Sequence, residues 1–404
     1  VNAATPGRPR QVIVIGSGIA GTAAALAARS ANAAVTLIDG GPGASVLWTG
    51  AIDALDWQKS APVVALAGGD RRVLDALEVL SVGDGSCRLL TTAGLVRPAR
   101  GCDASLLDVA HCGDGPVGVV ACDRPGWHAR SLARAWGQPF AALDVAIIRF
   151  ADESILPDVD FAARHDDSER LGWLGNRLRE ALSRIASQWT ALVLPPLLGV
   201  DRPRAQGLSR HVGIACGEAL GSPGGPPGAR FEMARNRALP AAEVQVVRGR
   251  ATSVSRGAQD WSVTLYGGQT LGAEAVVLAT GGVLGGGLEY APSETRLATA
   301  LPFAACAPLR LTFEAPIQIG MDGRRIDPPG SLFGYPPERF VGAFARSSPF
   351  DRAGILVDAS GHVLGQTGPL VGLFAAGDAA ADTPRSWLGA LASGVRAGTV
   401  AASC

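Results

Sequence analysis

The residues with the clearest chemical purpose stand near the start of the chain. An apolar run, Val12–Ile15, leads directly into Gly16, Ser17, Gly18, Ile19, Ala20 and Gly21, followed by an alanine-rich stretch of helical character. This is a G-x-G-x-x-G turn between a strand and a helix. Gly16 allows the tight turn, Gly18 lets a pyrophosphate approach the backbone, and Gly21 lets the helix pack closely on the strand. The unpaired N–H groups and positive dipole end of such a helix attract phosphates. A second apolar run, Val35–Ile38, ends in Asp39 and Gly40, at the place where a carboxylate accepts from an adenosine ribose hydroxyl. Strand, fingerprint, helix, strand and acid in this order predict a dinucleotide site.

Two later runs bear on which dinucleotide. Ala275–Ala279 runs into Thr280, Gly281 and Gly282, and Gly372–Ala376 runs into Gly377 and Asp378, ahead of a helical stretch from Leu388 onward. These pieces resemble the strand ends of two-dinucleotide-fold flavoproteins. That resemblance implies that Ala279, Thr280 and Gly281 border the cofactor, that Asp378 meets a ribityl chain, and that a helix N-terminus faces a flavin. The expected cofactor is FAD, with FMN as the alternative. The expected fold is α/β: a two-dinucleotide-binding-domain FAD fold, like that of glutathione reductase or fumarate reductase, with an inserted cap domain.

Composition narrows the function classes. The chain has 404 residues, 47% of them hydrophobic, enough to bury a substantial core. Lys plus Arg and Asp plus Glu both total 36, so there is no basic footprint for nucleic acid or an anionic membrane. No run reaches the about 20 consecutive apolar residues of a membrane helix. A soluble, cytoplasmic chain is expected, peripheral at the inner face of a membrane only through a partner. Seven cysteines fit a reducing compartment rather than a disulfide framework. Cys102, Cys112 and Cys122 recur at equal intervals beside His111, but no C-x-x-C occurs, so no metal site is expected.

The cofactor-binding part reads as discontinuous, covering 9–87, 200–298 and 350–404, with 88–199 and 299–349 as a cap or partner-docking region. Within it, Val244–Gly249 and Trp261–Leu265 read as strands of a small meander. Val117–Ala121 and Ala146–Phe150 read as strands flanking a helical Trp127–Trp136. Leu171–Trp189 has the spacing of an amphipathic helix, and Gly221–Gly228 reads as a loop before a short helix, Phe231–Ala238. A second insertion, Thr299–Arg346, carries Leu309–Phe313 and several prolines.

One further run is more distinctive. Gly41–Leu55, which includes Ser45, Trp48, Thr49, Gly50, Ala51 and Asp53, resembles the corresponding run in the B-type subunits of anaerobic glycerol-3-phosphate dehydrogenase. Leu90–Pro98, Leu194–Gly199, Glu218–Phe231 and Ala279–Gly287 are similar to the same family. The resemblance implies that Ser45, Thr49, Gly50 and Ala51 contact the flavin and that Ala251 passes the adenine. It implies a flavin-bearing subunit of a respiratory dehydrogenase, working with an iron–sulfur protein or a second flavoprotein subunit, with quinone beyond. The chain departs from the family at Asp382–Trp387, which replaces a glycine-rich turn.

A flavin that accepts a hydride needs a base for the substrate's hydroxyl proton and donors for its charge. His211, His128 and His111 are candidate bases, of which His211 falls where a cap meets the flavin domain. Arg310, Arg346 and Arg385 are candidates to clamp a carboxylate or phosphate of a small-molecule substrate. Two readings stay open: a dehydrogenase of a hydroxyl-bearing small molecule, alone or in a complex, and a non-catalytic relay or scaffold subunit. Under either, Gly18→Val is expected to abolish FAD binding, because the valine side chain would fill the pyrophosphate position. Flavin released on denaturation and identified by mass spectrometry is the measurement. A wild-type protein that yields no flavin would overturn the assignment.

Overall fold

The strand β1 (Gln11–Ile15) is apolar on both faces, and such a strand belongs in the interior of a parallel sheet. In the computed structural model it pairs in parallel with β2 (Ala34–Asp39) on one side and β14 (Ala275–Leu278) on the other. The structure describes residues 8–53, 68–78, 80–185, 188–258, 260–282, 312–313, 319–321, 324–325, 353–365 and 367–404. Two compact units share the chain. The first comprises Val1–Ala44, Pro62–Val73 and Ala238–Cys404; the second comprises Ser45–Ala61 and Leu74–Arg237. Their boundary differs from the one expected from sequence, since 200–237 falls in the second unit.

The first unit is built on a six-stranded sheet in the order β10-β2-β1-β14-β20-β19. Here β10 is Gln245–Arg248, β19 is His362–Gly365 and β20 is Gly368–Ala375. Only the β19–β20 pair is antiparallel. The run Val244–Gly249 therefore does not join the meander; β10 is the edge of the parallel sheet, paired with β2. The meander is β11 (Ala251–Arg256), β12 (Trp261–Leu265) and β13 (Thr270–Ala273), with β15 (Thr312–Phe313) beside β11. A small antiparallel sheet holds β16 (Ile319–Met321), β17 (Arg324–Arg325) and β18 (Gly354–Ile355). The rest of the second insertion, Arg310 and Arg346 included, lies outside the described residues.

Two helices matter most to this unit. The helix α1 (Ile19–Ser30) is alanine-rich and, after its C-cap Ala31, is stopped by Asn32, whose φ of +65° is left-handed. The C-terminal helix, Trp387–Ser403, packs along α1 through glycines. A Cβ on Gly394 would lie 2.2 Å from the Ala20 carbonyl oxygen, and one on Gly398 2.1 Å from that of Ala24.

The second unit joins two sheets. One is antiparallel, β3 (Ala51–Ile52), β5 (Val96–Asp103) and β4 (Leu80–Leu90). The other is fully parallel in the order β7-β6-β8-β9, with β6 at Val117–Val120, β7 at Phe140–Leu143, β8 at Ala191–Leu194 and β9 at Ala215–Glu218. The connections carry α3 (Ala129–Trp136), α4 (Asp158–Arg164), α5 (Ser168–Ser183) and α6 (Ala205–Val212). Ala146–Phe150 is not a strand. The backbone N–H groups of Arg149 and Phe150 donate to the Glu153 carboxylate, which takes them out of any ladder. The helix α5 stops at Ser183, short of Trp189. The helix α7 (Pro226–Ala241) starts inside the Gly/Pro loop, because prolines in a first helical turn lose no intrahelical hydrogen bond. One further helix, α2 (Gly68–Leu77), crosses the chain boundary between the units, and the C-terminal helix is α8.

At the centre of the second unit, Arg230 is fully buried. Its Nε donates to Asp103 at 3.0 Å, its Nη2 to Glu218 at 2.7 Å and its Nη1 to the Gly199 carbonyl at 2.6 Å. Glu218 also accepts from the Leu197 and Leu198 amides. Burial pushes the Glu218 carboxyl up, while Arg230 opposes that shift.

The glycine-mediated packing of α8 on α1 yields a stability prediction. Gly398→Val is expected to destabilise the protein by about 3 kcal/mol, because the new side chain meets backbone that cannot yield as a side chain would. Chemical denaturation compared with an exposed control, Thr270→Val on β13, is the check.

Candidate functional site

The three glycine-marked strand ends of the first unit converge. After β1 the chain turns at Gly16, which has φ +108°, and its N–H donates to the Ile38 carbonyl of β2. A Cβ on Gly16 would sit 2.3 Å from the Ala279 oxygen at the end of β14, and one on Gly21 would sit 1.8 Å from the Gly16 oxygen. A Cβ on Gly377 would meet that of Ala20 at 2.6 Å, and one on Gly282 would meet the Asp378 oxygen at 2.7 Å. Only glycine lets these backbones approach so closely. The structure thus brings Gly16–Gly21, Ala279–Gly282 and Gly377–Asp378 together at the carboxyl ends of β1, β14 and β20, where ligands bind in open α/β sheets.

The phosphate end of this cradle is the α1 N-terminus. Its N-cap is Gly18, which provides no side-chain cap, and no acidic residue lies in the first turn. Backbone donors and dipole there are oriented for an anion. Asp39 ends β2 half-buried. One of its carboxylate oxygens accepts from Ser17 Oγ at 2.6 Å and from the Gly41 amide at 3.1 Å. Those donors fix the carboxylate beside the turn. Ala251, the first residue of β11, is delivered to the same region, since Gly249 donates to the Asp39 carbonyl and Arg250 Nε to that of Gly40.

The other end of the cradle, the Gly377–Asp378 turn, is held by Arg385, named above as a candidate clamp, and by Ser393, which the sequence alone does not single out. Ser393 on α8 accepts from the Gly377 amide at 2.9 Å and fixes the Gly-Asp turn. Arg385 Nη1 lies 3.3 Å from Asp378 Oδ1, and its Nη2 donates to the Ala353 carbonyl at 2.9 Å. Ser386 caps α8 by accepting from the Gly389 amide. The turn at Asp382–Trp387 thus supports Asp378 through a side chain rather than through a run of glycines.

Several other candidates, Ser45, Thr49, Gly50 and Ala51 among them, belong to the second unit. There Gly50, at φ +100°, packs against Leu106 and Pro227, and its carbonyl accepts from the Asp103 amide. His211 is in the second unit on α6, and its Nε2 contacts Asn176 Oδ1 of α5 at 2.9 Å. His111 pairs with Asp108 at 2.9 Å and is largely exposed. Cys102, Cys112 and Cys122 are buried free thiols in β5, after Val109–His111 and after β6. Among the described residues, no group of side chains is arranged to hold a metal ion, and no helix is long and apolar enough to cross a membrane.

Two family models match parts of the chain. Residues 11–96 match the family model described as an FAD binding domain, and 228–283 match the one described as FAD-NAD(P)-binding. No curated protein matches the chain. Among solved structures, the chain is similar to 3-ketosteroid delta1-dehydrogenase from Sterolibacterium denitrificans (13% identity, TM-score 0.37), over 98% of this chain and 100% of that one. It is similar to a flavocytochrome c3 fumarate reductase (13%, TM-score 0.34), over 98% and 78%. It is similar to FqzB (10%, TM-score 0.27) over 69% of its own length, and spans 37% of that chain. The cofactor is FAD, and the fold is the mixed α/β arrangement of FAD-binding proteins.

FAD fits the residues present, and Asp39 distinguishes it from FMN, which has no adenosine ribose. Asp39→Ala is expected to weaken FAD by one to two decades, about 1.5–3 kcal/mol for a hydrogen bond to a charged acceptor, and to leave FMN affinity almost unchanged. Fluorescence titration of the apoprotein with each flavin measures both. Equal FAD affinity in wild type and variant would overturn the assignment of Asp39.

Proposed function

We propose that this FAD-binding chain is an oxidoreductase acting on a small hydroxyl-bearing molecule, of glycerol-3-phosphate or 2-hydroxy-acid type, as the flavin-bearing subunit of a respiratory dehydrogenase. Its partner in this reading is an iron–sulfur protein or a second flavoprotein subunit, with quinone as the final acceptor. The observation that carries the redox reading is the convergence of Gly16–Gly21, Ala279–Gly282 and Gly377–Asp378 into one cradle. FAD, when bound, supplies a two-electron acceptor. The similarity of Gly41–Leu55 to the B-type subunits of anaerobic glycerol-3-phosphate dehydrogenase supports the substrate class and the multi-subunit setting.

The chain's own residues divide the work of holding the cofactor. The α1 N-terminus takes the pyrophosphate, Asp39 the adenosine ribose and Asp378 the ribityl hydroxyls. Arg385 and Ser393 keep the Gly-Asp turn in place. An alcohol that gives up a hydride also gives up a proton, so a base is required.

A second reading, a relay subunit without its own substrate, draws on a specific observation. Two of the candidate substrate groups already have protein partners: Arg385 holds Asp378 and the Ala353 carbonyl, and His211 meets Asn176.

Dye-coupled turnover of the FAD-loaded chain with glycerol-3-phosphate and a series of 2-hydroxy acids separates the two. Turnover is expected with at least one of them. A flavin bleached by dithionite but by none of these substrates would favour the relay. Purification from the native source is expected to yield a hetero-oligomer containing iron and acid-labile sulfide. A clean monomer that turns over with oxygen or a soluble quinone would defeat the partner reading.

A further inference from the structure

Two thiols meet in the antiparallel sheet of the second unit. The strands β4 and β5 pair Val82 with Gly101 and Cys87 with Ala99, so residues 83–86 stand opposite Arg100 alone. This bulge interrupts the ladder beside Cys87 and bends the strand there. Cys87, Ala99 and Cys102 share one apolar cluster, and the Cys102 thiol donates a hydrogen bond to the Cys87 sulfur. Neither cysteine is in a disulfide. Sulfurs in hydrogen-bond contact on adjacent strands are close to bonding distance, and the bulge lets the backbone take up the remaining change.

Polar groups connect this pair to solvent. The Cys87 thiol donates to the Asp108 carboxylate. One Asp108 oxygen accepts from the Arg88 amide at 2.9 Å and the Ala110 amide at 3.1 Å, which hold the carboxylate in place. The other oxygen lies 2.9 Å from His111 Nδ1, and the His111 side chain is largely exposed. The series Cys102, Cys87, Asp108, His111 thus leads from a buried thiol to water. Burial pushes Cys112 up to about 11 and Cys122 and Cys216 up to about 12, which leaves those three inert. Cys87 moves the other way because Cys102 donates to it, against the effects of burial and the Asp108 charge. Cys102 is pushed up by the same hydrogen bond and by burial. Cys87 also keeps 6% of its surface, whereas Ala99 opposite keeps none, so a reagent as small as a peroxide meets Cys87 first.

We propose that Cys87 and Cys102 form a redox-active dithiol whose substrate is a hydroperoxide, with Asp108 and His111 as its proton path. The Cys87 proton passes to Asp108 and His111. The Cys87 sulfur attacks a peroxide oxygen; an S–O bond forms, the O–O bond breaks, and the leaving oxygen takes up that proton as water or an alcohol. The Cys102 sulfur then attacks the Cys87 sulfenic acid; an S–S bond forms, the S–O bond breaks, and hydroxide leaves with the Cys102 proton as water. Two thiols lose two electrons and the hydroperoxide gains them. The new bond lies one residue from Asp103, the carboxylate that holds Arg230 at the centre of this unit. The inference is independent of the reaction proposed above.

The test treats the reduced, FAD-loaded full chain with hydrogen peroxide, blocks the remaining thiols after denaturation, and maps the tryptic peptides by mass spectrometry without reduction. Cleavage after Arg88 and Arg100 places the two cysteines in separate peptides. A Cys87–Cys102 linked pair that dithiothreitol releases is expected. In Cys102→Ser the reaction is expected to stop at a Cys87 sulfenic acid, captured by dimedone, and in Cys87→Ser the Cys102 thiol is expected to stay free. His111→Gln is expected to slow disulfide formation at least threefold without changing its final yield, and added imidazole to restore the rate, which a merely structural role would not allow. The wild-type map decides even if a cysteine variant fails to fold. The proposal is overturned if Cys87 and Cys102 stay free while the exposed Cys404 is oxidised, or if Cys102 is found joined to Cys112. A link between Cys87 and Cys102 that forms only in the unfolded chain overturns it as well.

Discussion

The contact on which the first unit depends is backbone against backbone, between α1 and α8. Gly394 and Gly398 bring α8 against the carbonyls of Ala20 and Ala24, at separations that no side chain could occupy. This approach fixes more than two helices. Ser393, beside Gly394, holds the Gly377 amide, and Gly377 in turn lies over Ala20 in the first turn of α1. The phosphate end and the flavin end of the cradle are therefore referenced to the same helix turn. Displacing α8 would move Asp378 relative to the α1 N-terminus, and a ligand spanning both would lose one of its ends.

The second unit depends on charge. Arg230, Asp103 and Glu218 are fully or almost fully buried, with two carboxylates sharing one guanidinium. Such a group adds little net stability compared with apolar residues of similar volume, but removal of one member leaves an uncompensated buried charge. Its geometric content is larger. Asp103 ends β5, Glu218 ends β9, and Arg230 lies in α7, so the cluster ties the antiparallel sheet, the parallel sheet and a helix to one point. The Leu197 and Leu198 amides, which follow β8, also donate to Glu218, and this shapes the loop at that strand's end.

Much of the cradle was legible in the sequence because its determinants are local. Gly16–Gly21, Asp39, Ala279–Gly282 and Gly377–Asp378 are short runs in which a glycine marks a backbone approach and an apolar strand precedes it. What supports them was less legible: Ser393 carries no signal of its own in the sequence, and Arg385 was read as a substrate clamp rather than as the partner of Asp378. The errors in reading elements have equally specific causes. Val244–Gly249 alternates weakly because β10 is an edge strand with a mostly exposed face, and nothing local distinguishes such an edge from a meander strand. Ala146–Phe150 has the apolar character of a strand, but its amides are claimed by the side chain of Glu153. The substrate residues were the least legible. Histidines and arginines carry no spacing signal of their own, and His211 and Arg385 each have local partners that explain their presence.

The two parallel sheets show why one β-α-β unit carries a glycine fingerprint and another does not. Between β1 and α1 only Gly16, Ser17 and Gly18 make the connection, so the chain must reverse within a few residues and pass close to β14. That constraint demands glycine, and the fingerprint is its trace in the sequence. Between β6 and α3 the chain runs from Ala121 to His128, long enough to turn with ordinary residues and to bury Trp127, whose indole N–H donates to the Val120 carbonyl. A longer connection relaxes the need for glycine while leaving the helix start and the end of the next strand at the same edge of the sheet. A sequence fingerprint therefore records the tightness of a turn rather than the presence of a ligand.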